Sequence, residues 1–146
     1  MMRTGIPIAR PVLIASALAA CSFATSCQVH SRIVLTPSSS SGPSIQARAI
    51  AITDSIARQE GLKPRQSDYC SVPAAEGFRQ GVVGGFWGRG SLSLTVCVER
   101  AEPLRIQIQV ANRGAFWNAK GKRIRDQLPA ALRATFGAEA VTVDAK

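Results

Sequence analysis

The chain has 146 residues, with 18 Lys and Arg against 9 Asp and Glu, a formal charge of +9. That length suits one domain, and a charged fraction of 18% with 46% apolar residues excludes a disordered polyampholyte. There is no glycine period, no heptad and only one membrane-directed stretch, which excludes collagen, coiled coil and a polytopic membrane protein.

That stretch is the N-terminus. Arg3 and Arg10 are the only charges before Arg32, and Pro11 to Ser26 is apolar or small throughout. A basic start, a short apolar run and small residues make a secretory signal, too short to span a bilayer with margin. Its ending, Leu18-Ala19-Ala20-Cys21, resembles the lipobox of bacterial lipoproteins. The resemblance covers only the first twenty or so residues. It implies cleavage after residue 20, lipidation of Cys21 and attachment to a membrane through that lipid. Ala24-Thr25-Ser26-Cys27 is a second permissible lipobox, with Ala a poorer first residue than Leu. Cleavage there would make the signal 1–26, lipidate Cys27 and leave an even number of domain cysteines. In the lipoproteins it resembles, Asp after the lipidated cysteine retains the protein in the inner membrane. Here Ser22 or Gln28 follows, which implies the periplasmic face of the outer membrane.

Residues 21–43 are expected to be a flexible tether, ending in a four-serine block flanked by Pro37 and Pro43. Ile33-Val34-Leu35 is its one apolar patch, either a strand or nothing. The folded domain is expected over residues 44–146. Ser44 to Gly61 is a helix, with Ile45, Ala49, Ile52 and Ile56 on one stripe and Gly61 where a left-handed C-cap belongs. Phe78 to Trp87 supplies a strand weakened by Gly81, Gly84 and Gly85. In Ser91–Arg100 and Leu104–Asn112 apolar and polar residues alternate strictly, which predicts an antiparallel hairpin covered on one side. Ile124, Leu128, Leu132 and Phe136 mark a second helix that Pro129 kinks or shortens and Gly137 ends. Val141-Thr142-Val143 is a final short strand. The expected fold is a two-layer α+β sandwich, an antiparallel sheet of three to four strands with two helices on one face.

Catalytic patterns are sparse. His30 is the sole histidine, so no triad can be assembled around a second imidazole. Cys27 and His30 offer two metal ligands where zinc needs three or four, so no metal and no cofactor is expected. Glu99 and Glu102 flank a hairpin turn, where acids are ordinarily solvated. Gly84–Ser91 has the glycine spacing of a phosphate loop but lacks its lysine and precedes a strand. The segment reads as a twisted hairpin whose glycines relieve crowding, or as a loop presenting Phe86, Trp87 and Arg89 to a partner or the membrane interface.

Lys120, Lys122, Arg123 and Arg125 follow Phe116 and Trp117 and crowd the start of the second helix, where cations oppose the helix dipole. The cluster is either a solvated face or an anion-binding one. Export makes nucleic acid a poor partner; lipopolysaccharide, anionic lipid, a cell-wall polymer or an envelope protein are the candidates. Cys70 and Cys97 are expected to pair in an oxidising compartment, with Cys97 on the polar face of its strand. The functional expectation is a membrane-anchored periplasmic lipoprotein, a non-enzymatic accessory or binding module of the cell envelope. The alternatives are an envelope hydrolase or transferase, and a structural anchor assembling through an edge strand.

Overall fold

The computed structural model describes residues 27–38, 42–74, 77–101 and 103–145. The expected signal peptide and Cys21 lie outside the described residues. The elements, in order, are β1 (Gln28–Leu35), α1 (Gly42–Gln59), β2 (Lys63–Pro64), β3 (Cys70–Ala74), β4 (Gly77–Arg89), β5 (Leu92–Ala101), β6 (Leu104–Arg113), α2 (Ala119–Phe136) and β7 (Val141–Ala145). A single 3-10 turn over Ala138–Ala140 links the last two.

Local chemistry sets the helix ends. At the end of α1 the Leu62 N–H donates to the Ala57 carbonyl at 2.9 Å and the Gly61 N–H to Arg58 at 3.0 Å. With Gly61 at φ 76° and Leu62 buried, this is a Schellman closure of the kind the Gly-Leu pair predicts. Asn118 caps α2, its side chain accepting the Gly121 N–H at 2.7 Å. Pro129 lies inside α2 and does not divide it, and it is buried with Ile124, Leu128 and Leu132 on the core side.

The sheet order is β2-β4-β5-β6-β1-β7, with β3 paired to β4 off this path. Every pairing between strands is antiparallel. The α+β class is as expected, but the sheet has seven strands, not three or four. The largest difference is β1. Residues 28–35, expected in the tether, form a strand hydrogen-bonded on both sides, to β6 and to β7. Its apolar run, Ile33-Val34-Leu35, is only three residues long and follows Ser31 and Arg32, so the pattern is short enough to pass for tether. The remaining additions, β2 and β3, are too short to carry a period.

Both helices pack on one face. Ile33 and Leu35 of β1, Leu94 and Val96 of β5, and Ile106, Ile108 and Val110 of β6 meet Ala49 and Ile56 of α1 and Ile124, Leu128 and Leu132 of α2 in one core. Alongside β5, β4 breaks register between Val83 and Gly85. A bulge of this kind bends a strand and sharpens its twist. The first half of β4 pairs with β3 as well as with the end of β5, and this places Cys70 against Cys97 across the open face. The two are disulfide-bonded, with Cα atoms 6.0 Å apart, and share a small cluster with Val72 and Val83. Gly81 sits beneath the bond: a β-carbon there would lie 2.5 Å from Cys97 Sγ and 2.9 Å from the Val98 carbonyl oxygen.

Two outcomes follow from β1 and the disulfide. Ile33→Ala, fully buried, should cost about 2–5 kcal/mol in urea denaturation, whereas Val34→Ala on the open face should cost much less. A tether would show no difference between them. Non-reducing peptide mapping should recover one Cys70–Cys97 cross-link, and its reduction should cost about 3–4 kcal/mol for the closed loop.

Candidate functional site

The basic segment begins with a clamp. Asn112, buried near the end of β6, donates from its side-chain amide to the Arg113 and Phe116 carbonyls, each at 3.1 Å. Its carbonyl oxygen accepts the Asn118 N–H at 3.4 Å. The loop over residues 114–118 is thus stitched to the end of the sheet, and Asn118 then starts α2. Gly121 lets the helix start approach closely, since a β-carbon there would be 2.9 Å from the Trp117 ring.

The four cations of the sequence cluster separate on the helix surface. Arg123 turns toward α1 and makes a two-pronged pair with Glu60, Nε and Nη2 each 2.8 Å from a carboxylate oxygen. Arg125 pairs with Asp126 at 2.9 Å and lies over the Trp117 ring, 5.6 Å from its centroid. Lys120 and Lys122 make no ion pair among the described residues. Adjacent sequence positions therefore do not form one anion-binding set: two of the four already have carboxylates.

Trp87, which the sequence reading offers to a partner, is 3% exposed. It stands on the helix face opposite Leu94, and its indole N–H donates to Asp54 of α1 at 2.7 Å. The ring lies over Gly85, where any β-carbon would collide with it. Phe86 points to the open face in register with Thr95 and is half-buried. Arg89, at the end of β4, is exposed, with its guanidinium beside Gly61. The exposed aromatic at this end is Phe116, at 83%.

Three cations escape the sequence reading because they are scattered along the chain. Lys63 pairs with Gly88, one residue before Arg89, and Arg65 donates its backbone N–H to Phe86 and lays its side chain along Gly88. Arg113 pairs with Gln28, the first residue of β1. No local signal marks them; only the strand register puts them with Arg89 and Lys120.

The remaining chemistry-bearing residues are dispersed. His30 stands in register with Ala111, away from any acid in its pairing row. Glu99 is bound by Arg105 at 2.6 Å, and Glu102 lies outside the described residues. Among the described residues no three of His, Cys, Asp and Glu come together to hold a metal ion. No protein-family model matches the chain, and no curated protein matches it.

Two carboxylates have shifted pKa values. The Arg123 hydrogen bonds hold Glu60 below its usual 4.5, outweighing the opposing desolvation, with the charges of Arg123 and Lys120 adding to the effect. The Arg58 hydrogen bond holds Asp54 below its usual 3.8, against desolvation, and Trp87 contributes a further hydrogen bond. A carboxylate with a depressed folded pKa stabilises the protein above its unfolded pKa, and that stability fades as pH falls through the folded value. Denaturation midpoints should therefore decline as pH drops below 4.5, and Glu60→Gln should flatten that decline. Separately, Asn118→Ala should destabilise the fold by about 1 kcal/mol through loss of the α2 cap, measured by the same denaturation.

Proposed function

We propose that this protein is a lipid-anchored module of the bacterial cell envelope, held at the periplasmic face of the outer membrane, that serves as a non-enzymatic accessory or binding domain. The observation that carries the reading is the position of β1. The lipobox-like segment ends at Cys21, and the sheet begins at Gln28. The six residues between them reach at most about 25 Å when fully extended. Lipidation at Cys27 would leave no spacer at all. An anchor so close to a strand paired on both sides suits a domain that works at the membrane surface, not one held away from it on a long tether. Two acyl chains on one cysteine would give stable attachment, since a single chain binds only marginally.

The binding role draws on the surface the helices leave open. Ser93 and Thr95 of β5, Gln109 of β6, and His30 and Arg32 of β1 line a half-exposed polar face on a rigid sheet. Such a face can present hydrogen-bonding groups to an envelope protein without rearrangement.

Mass spectrometry of the mature N-terminus tests the anchor. The expected product is a diacylglyceryl cysteine at position 21, or at 27 if the second motif is used. A free N-terminus at Ser22 or Gln28 would defeat the proposal.

A further inference from the structure

We propose that the end of the sheet where the chain passes into β1 is a membrane-seating surface that binds anionic phospholipid headgroups. The surface is built from Lys63, Arg65, Arg89, Arg113, Lys120 and Lys122, together with the exposed ring of Phe116 at the same end. The proposal rests on the lipid-anchored reading above for the bilayer it meets, and goes beyond it by fixing which end of the domain lies on that bilayer.

Four observations converge. First, the register collects charge along one edge: Lys63 beside Gly88, Arg89 closing β4, and Arg113 opposite Gln28. The α2 start adds Lys120, whose Nζ lies within 4 Å of the position a Gly61 β-carbon would take, next to the Arg89 guanidinium. Second, these six cations make no ion pair among the described residues, because Glu60, the acid beside them, is taken up by Arg123. Third, the first turn of α2 contains no acid, so Lys120 and Lys122 face the positive end of the helix dipole uncompensated. A layer of headgroup phosphates would relieve both the mutual repulsion and the dipole. Fourth, Phe116 is held outward at 83% exposure by the Asn112 clamp. An exposed aromatic ring at the same end of the sheet as unpaired cations matches the interfacial zone of a bilayer better than it matches a water-soluble polyanion.

The chain itself selects the same end. The Gly114 N–H donates to the Cys27 carbonyl at 2.7 Å, so the chain enters the domain beside Arg113 and Phe116, and Cys21 precedes that point by six residues. An anchor attached there draws this end toward the bilayer. The opposite end of β4, paired with β3 and carrying the exposed Phe78, then faces away from the membrane.

The test uses the mature full-length protein carrying Phe116→Trp, mixed with phosphatidylcholine vesicles or with vesicles also containing phosphatidylglycerol, both with brominated acyl chains as a short-range quencher. Flotation reports attachment, and quenching relative to the parent protein reports seating. The expected result is flotation on both vesicles, with quenching only on the anionic ones and reversal by salt. Replacing Arg89, Arg113, Lys120 and Lys122 together by Gln should abolish quenching, at roughly fivefold per charge removed. Arg133→Gln, which removes an exposed cation from the last turn of α2 at the other end of that helix, should leave it in place. Flotation on both vesicles without quenching, or equal quenching on both, overturns the seating surface and leaves the anchor standing. Salt-sensitive flotation with quenching on anionic vesicles alone supports the seating surface and removes the anchor. No flotation on either overturns both.

Discussion

The sheet depends on β1 being paired on both sides. β6 and β7 run parallel to each other, connected by α2, and neither touches the other: β1 lies between them, antiparallel to both. Without it, β6 would be an open edge and β7 would have no partner. Ile33 and Leu35, both at 0% exposure, also fill the middle of the core beneath α2. A strand placed so early in the chain would usually be an edge that can fray. Here β1 holds the later half of the sheet together, which also means that any pull from an N-terminal anchor would be transmitted to an interior strand.

β4 is the second organising element, and it solves a different problem. It must pair with β5 and β2 along its second half while its first half carries β3 over the open face. The bulge after Val83 allows the change of direction, and the glycines around it leave room for the Cys70–Cys97 bond on one side and for the Trp87 ring on the other. The polar face is therefore closed over near the disulfide and open toward β1. Trp87 and Asp54 then tie this strand to α1, so that the helix layer is fastened by a hydrogen bond as well as by apolar contact.

Charge is sorted by the same architecture. The chain has twice as many basic as acidic residues, so many cations must go without a carboxylate. Four of the nine acids hold parts of the structure together: Glu60 on α2, Asp54 on Trp87 and Arg58, Glu99 across the β5–β6 hairpin, Asp144 near Arg32. Among the described residues, six of the cations left without a carboxylate, Lys63, Arg65, Arg89, Arg113, Lys120 and Lys122, stand where the strands end and α2 begins.

Sequence pattern alone determined the elements whose burial is periodic and long. The β5–β6 hairpin, the apolar stripes and glycine ends of both helices, the polar-face position of Cys97 and the α+β class all follow from side-chain alternation, which is local physics. It could not supply β1, because three apolar positions beside a serine-proline run have no periodicity to distinguish a strand from a tether. It could not say that Trp87 is buried, since that depends on α1, a segment distant in the chain, packing over that face of β4. Nor could it separate Arg123 from Lys122: neighbours in sequence stand about 100° apart around a helix, and only the packing of α2 on α1 decides which of them meets Glu60. The basic end itself, drawn from positions 63 to 122, exists only through strand register, an interaction between segments that no window of the sequence contains.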